Sequence, residues 1–134
     1  MKPTDLQIGN WVLIDNTPRQ VVQLTKSKVG YHTEPRECRM HYARYKDVEP
    51  IQITKEILKG NGFDEMWDGE ALIYREELGS IRITKMAISP YCRIELFINH
   101  NALVILENKV EGVRCLHTLQ KMMRMFGFIK QIEL

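Results

Sequence analysis

An α+β fold is what this sequence predicts, and three observations carry the prediction. Residues 1–50 hold short β-branched runs separated by turn residues. Residues 71–106 hold four more strand-like segments in series. Helical patterns stand on either side of those four, at residues 54–63 and 113–126. Strands joined by short turns pair antiparallel, and helices at both ends of such a run cover one face of the sheet. The expected architecture is a small SH3-like β-barrel or meander at the N-terminus, followed by an α-β-β-β-β-α unit. That unit has an antiparallel sheet and a C-terminal amphipathic helix. The implied division is residues 1–50 and residues 51–134, joined in one compact unit.

At 134 residues the chain is long enough to bury a sizeable core without a disulfide or metal. Its 44% hydrophobic and 27% charged residues are those of a globular protein and exclude a disordered chain. A net charge of +2 is too small to imply nucleic acid by itself. Cys38, Cys92 and Cys115 are an odd set without framework spacing, which reads as reduced thiols in a cytoplasmic protein. The start, MKPTDLQIGNW, lacks the apolar run of a secretory signal, and no stretch reaches 18 apolar residues. The expected setting is cytoplasmic and soluble, with no membrane partner.

In the front part, residues 6–14 alternate and then turn continuously apolar, with Trp11 as a core or groove residue. Asp15-Asn16-Thr17-Pro18 supplies a turn, residues 20–24 resume a strand, and residues 28–32 allow a third. Asp47-Val48-Glu49-Pro50 reads as a closing turn. A closed barrel and a plain meander fit these signals equally.

Residues 31–46 are the most basic and aromatic part of the chain. From Lys26 to Lys46, six Lys and Arg residues face only Glu34 and Glu37, a balance of +4. Tyr31, Tyr42 and Tyr45 are interleaved with them. Cations that track phosphates beside rings that stack bases are the means by which single strands are held. A barrel edge with solvated cations and core tyrosines fits the same residues. His32, Cys38 and His41 provide only one close pair of metal ligands, so no metal site and no cofactor are expected.

Thr54 is placed to cap a short helix and Gly62 to close it, with Ile57, Leu58 and Phe63 as its anchors. Residues 64–69 read as a turn, and residues 64–77 carry a balance of −5 that suits solvent or a basic partner. Strands follow at residues 71–76, 80–88, 91–98 and 102–106, with Asn99-His100-Asn101 as a turn. In the last helix Cys115, Leu116, Leu119, Met122, Met123 and Phe126 share an arc of roughly 120° at helical spacing. Arg114, His117, Lys121 and Arg124 fall opposite and form an outward basic stripe. Residues 128–134 are a short extended tail.

No phosphate loop, dinucleotide fingerprint, nucleophile elbow or zinc-protease helix occurs. Ser80 and Ser89 lack any sign of activation, and Glu76 and Glu77 point to opposite faces of a strand. No catalytic residue is therefore named, and the expected function is non-catalytic.

Three stretches also resemble a known group. They are Leu6-x-Ile8-Gly9-Asn10-Trp11-Val12, then Pro50-Ile51-x-Ile53-Thr54-x-Glu56-Ile57-Leu58-x-x-x-Gly62-Phe63, then Leu116-His117-x-Leu119-Gln120. In this order they resemble small proteins of Bacteroidales genomes, often encoded beside prophage or other mobile-element genes and without an established activity. Met122-Met123 and Phe126-Gly127-Phe128 depart from the aromatic continuation and Thr-Gly-x-Glu-Leu-like tail of that group. The barrel-like front, the absence of catalytic motifs and this resemblance together point to a non-catalytic binding or accessory module, phage- or mobile-element-associated, with a lean to nucleic-acid binding. Its nucleic-acid version would use Arg39, Tyr42, Arg44 and Lys46, with Arg114, His117, Lys121 and Arg124 on the helix. A protein-binding version would use the acidic residues 64–77 or a sheet edge. An enzyme of unrecognised class is the remaining alternative. Gln120, at the border of the apolar arc, is expected to hydrogen-bond a neighbouring loop.

Overall fold

The structure is a computed structural model and describes residues 1–77, 79–85, 92–98, 101–107 and 115–134. Its front part contains β1 (Trp11–Ile14), β2 (Thr17–Gln20), β3 (Gln23–Leu24), β4 (Lys28–Tyr31), β5 (His41–Arg44) and β6 (Val48–Pro50). They form two antiparallel sheets of three strands, in the orders β2-β1-β6 and β3-β4-β5. Asp15 and Asn16 make the first hairpin with φ of 52° and 58°. Such a two-residue turn suits the strand twist, and short Asx side chains tolerate it better than most.

Between β2 and β3 the chain bends rather than breaks. Val21 accepts from the Gly9 amide and donates to the Asn10 carbonyl, and Val22 donates to Gly30. One ribbon thus passes from the first sheet into the second, and Leu6, Val12, Ile14, Val21, Val29, Tyr45 and Val48 fill the space between them.

Of the two forms expected for the front part, barrel or meander, the closed barrel is not formed. A 3-10 turn at Tyr45–Asp47 carries the chain from β5 to β6, and these two strands do not pair. The closing turn expected at residues 47–50 is corrected too. Val48 is buried and pairs with Ile14, while Pro50 pairs with Val12 at the strand end. An end position suits a residue without an N–H to offer the ladder.

The back part begins with α1 (Lys55–Gly60), where Thr54 Oγ1 accepts from the Ile57 amide at 3.2 Å. There follow β7 (Asp64–Met66), β8 (Ala71–Arg75), β9 (Gly79–Lys85), β10 (Cys92–Ile98) and β11 (Asn101–Glu107), an antiparallel meander in chain order. The turn expected over residues 64–69 is half strand. Met66 pairs with Ala71, and the reversal takes Trp67 to Glu70, with Trp67, Asp68 and Gly69 at positive φ and the Glu70 amide donating to the Trp67 carbonyl. The expected strand ends at residues 86–88 and 91, the gap between them and Asn99-His100 lie outside the described residues, whereas Asn101, expected in a turn, opens β11.

Register sets Leu72, Ile83 and Ile94 side by side, and Ile81 joins them in one core with Leu58 of α1. Both helices use this face of the sheet. From α2 (Leu116–Met125), Leu116, Leu119, Met122 and Met123 enter the same core, as the apolar arc predicts, whereas Phe126, expected on that arc, is the half-buried C-cap and lies outside this core. Cys115 is buried beside them, and Leu116 donates its amide to Ile51 at 2.7 Å.

The helix's other side departs from expectation. His117 is 6% exposed, not outward. The polar side of α2 lies against the start of the chain: Lys121 Nζ donates to the carbonyls of Thr4 and Asp5, and Arg124 Nη1 donates to Gln7. An amphipathic helix fixes which face is driest, but a second layer can cover its polar face as well. Arg124 remains exposed and Lys121 is half-buried. Gly9 fits this contact because a Cβ there would stand 2.8 Å from Arg124 Nη2, and its φ of +95° suits glycine.

Candidate binding cleft

A concavity of about 560 Å³ opens in the front part. One wall comes from Lys28 and Tyr31 of β4 with Tyr42, Ala43 and Arg44 of β5. The other comes from Leu13 and Ile14, the Asp15–Asn16 turn, and Glu49 of β6. Lys46 and Asp47 of the 3-10 turn close one end. The missing pairing between β5 and β6 is what leaves this space.

The charges in it balance. Lys28, Arg44 and Lys46 stand with Asp15, Asp47 and Glu49. Arg44 Nε faces Asp47 Oδ2 at 3.3 Å, but both side chains are more than half exposed. Such a pair is worth little and opens readily to a ligand. Tyr42 is 49% exposed and its hydroxyl donates to Gln23 Oε1 at 2.9 Å. Tyr31 is held from the side by the Arg19 guanidinium, 5.7 Å from its ring centre, and by the His41 ring at 5.8 Å. Tyr45, by contrast, is buried, and its hydroxyl donates to the Thr25 carbonyl at 2.6 Å.

The loop leading into β5 is tied down by Glu37. Its carboxylate accepts from Thr33 N–H and Oγ1, both at 2.8 Å, and lies 2.9 Å from His41 Nε2. His41 first, then Thr33, hold this carboxyl at a pKa of about 2. His32 Nδ1 is 2.9 Å from the Arg39 carbonyl. These contacts fix the stem of β5 and so the position of Tyr42.

The predicted site residues fall into separate places. Tyr42, Arg44 and Lys46 meet at the cleft, whereas Arg39 is exposed on the loop before it. His117, Lys121 and Arg124 lie together against the N-terminal segment, and Arg114 is outside the described residues. The acidic run is also partly spent: Glu65 pairs with Lys55 at 2.9 Å and Lys59 at 3.1 Å. Glu76 accepts the amides of Ile129 and Lys130, both at 2.9 Å. Asp15, Asn16 and Glu49 were missed as site residues. The Asp-Asn pair was visible only as turn chemistry, and Glu49 belongs to a strand whose existence was not expected.

A second surface feature lies on the sheet face away from the helices. Arg82 is sandwiched between the rings of Trp67 at 4.4 Å and Phe97 at 4.8 Å, and it donates twice to Glu95, at 3.1 and 2.8 Å. No helix among the described residues is long and apolar enough to cross a membrane. Comparison with known proteins found no matching family model, no matching curated protein and no matching solved structure.

Proposed function

We propose that the protein is a non-catalytic binding module whose front part, an SH3-like lobe, receives a segment of a partner polypeptide in the cleft beneath Tyr42. The observation that carries this reading is the cleft's composition: two tyrosines beside Ala43, and three cations matched by three anions. Tyrosine supplies large contact area at low entropic cost, which suits a peptide groove. The cleft's cations and acids are set apart, Lys28 and Arg44 on one wall against Asp15 and Glu49 on the other, which suits a short polypeptide that presents its charged side chains to one wall. The overall balance gives a nucleic acid no net field to follow.

A nucleic-acid footprint would need the two basic groups to add together. Lys121 and Arg124 instead hold the start of the chain, and His117 is buried. An accessory role in a mobile element, as the resemblance implies, is compatible with a peptide-binding module and is part of this proposal.

The test is selection of peptides from a random display library on the intact chain. Enriched peptides should bind the natural protein and lose at least about tenfold in affinity on Tyr42→Ala, with an unchanged melting temperature, since such a loss is about 1.4 kcal/mol. Absence of any enriched peptide sinks the reading. So does tight, salt-sensitive binding of single-stranded oligonucleotide that is lost in the Arg39→Ala/Arg44→Ala double variant, because counterion release marks phosphate contacts.

A further inference from the structure

The pairing of β4 fixes which way the backbone of β5 faces. The carbonyls of Gly30 and Lys28 accept from Val22 and Thr25, on the β3 side. Alternate residues of a strand direct their N–H and C=O to opposite edges. Val29 and Tyr31 therefore turn theirs toward β5, where their partners are Ala43 and His41. The intervening residues of β5, Tyr42 and Arg44, turn theirs the other way. Along that edge β5 has no strand partner among the described residues, and the edge lies in the wall of the cleft. The Tyr42 N–H and C=O and the Arg44 N–H thus point into a concave space large enough for a chain.

On the proposed peptide-binding reading, we infer that the bound segment adds to β5 as an extra strand, and that it alternates acidic and apolar residues. Added strands gain affinity from main-chain hydrogen bonds and specificity from alternate side chains. Register puts Lys28 opposite Arg44 on one face of the β4–β5 pair, and Tyr42 shares that exposed face. Residues of the incoming strand on that side meet two cations and a ring, so carboxylates suit them, as opposite charges do across neighbouring strands. Residues on the other side meet Ala43 and Tyr31, and small branched apolar side chains suit those. The edge is short, four residues, and its outer amides are shielded from self-association by the opposite wall rather than by a bulge or proline.

The probe is a ten-residue peptide of alternating glutamate and valine, blocked at both ends, added to the full chain. Two further versions carry N-methyl groups on all the odd or all the even amides. The unmethylated peptide should slow hydrogen exchange of the Tyr42 and Arg44 amides at least tenfold and shift the Tyr31 and Tyr42 ring resonances. One methylated version should lose binding at least tenfold and the other should keep it, because only one set of amides faces β5. Which set matters then gives the strand's direction. Replacing every glutamate with lysine should abolish the effect. Equal behaviour of the two methylated versions overturns the added strand. So does movement of the tyrosine rings without amide protection, an outcome that leaves the peptide-binding cleft standing. No change at millimolar peptide overturns this inference, while the library selection separately decides whether the cleft binds peptides at all.

Discussion

Gln120 of α2 reaches across the molecule to accept the backbone amide of Trp11 at 2.8 Å, joining residues 109 positions apart. The same side chain donates to the Gly9 carbonyl at 3.1 Å. A single amide thus satisfies both the donor and the acceptor that the chain exposes where it enters β1. The loop contact expected of Gln120 is therefore an anchor between the helix and the lobe that carries the cleft.

Gln120→Ala leaves the Trp11 N–H without a partner, while the Gly9 carbonyl keeps only its 3.2 Å bond from Gln20. The expected cost is about 1–3 kcal/mol, the penalty for an orphaned buried polar group. Urea denaturation measures it, and a loss below half a kcal/mol would show that water replaces the side chain freely.

Leu119 is fully buried between the sheet and the lobe. Leu119→Ala should cost about 2–5 kcal/mol, the range for a buried leucine whose cavity does not collapse. The same denaturation series reads it, and a near-neutral result would mean that the helix presents another face.

How much of this was legible beforehand divides along a physical line. Leu116, Leu119, Met122 and Met123 could be read because helical spacing alone decides which residues share a face. Thr54 could be read because capping is local. His117, Lys121 and Arg124 could not, since the element that covers them comes from more than a hundred residues away. The strand at Val48–Pro50 was hidden by its proline, and β7 by its acidic, half-exposed residues. In the cleft, Tyr42, Arg44 and Lys46 stood out by composition, but the acids on the facing wall became partners only through folding.

His117 makes stability depend on pH. Burial pushes its pKa below the ordinary value of 6.5, the Lys121 ammonium adds to this, and Asp5 opposes it. Its Nδ1 is buried and meets no partner among the described residues. The folded chain holds the ring neutral where the unfolded chain protonates it, so unfolding takes up protons. That contribution is complete above about pH 6.5, the unfolded value. It is lost as pH falls toward the folded value. The urea midpoint should drop between pH 7.5 and 5.5, and His117→Gln should flatten the drop; identical slopes for the two proteins would refute this.

Glu76 straps the C-terminal tail. Burial raises its pKa, but donation from Ile129, Lys130 and the Tyr74 hydroxyl prevails and holds it below the ordinary carboxylate value. Burial and the same contact push Tyr74 up to about 12. A depressed carboxyl pKa stabilises at neutral pH and ceases to do so as pH falls through the folded value. Glu76→Ala should therefore speed hydrogen exchange at Ile129 and Lys130 at pH 7 while leaving Leu58 and Ile94 unchanged. Unaltered exchange at the tail would show that packing alone holds it.

A map of amide and tyrosine-ring resonances, recorded while a library-selected peptide is added, tests the peptide-binding cleft most directly. Shifts should concentrate on Leu13 to Asn16, Tyr31, Tyr42 to Arg44 and Glu49, and should vanish in Tyr42→Ala while the rest of the spectrum stays folded. Shifts centred instead on Trp67, Arg82 and Phe97 would place the binding surface on the open face of the sheet and contradict the cleft.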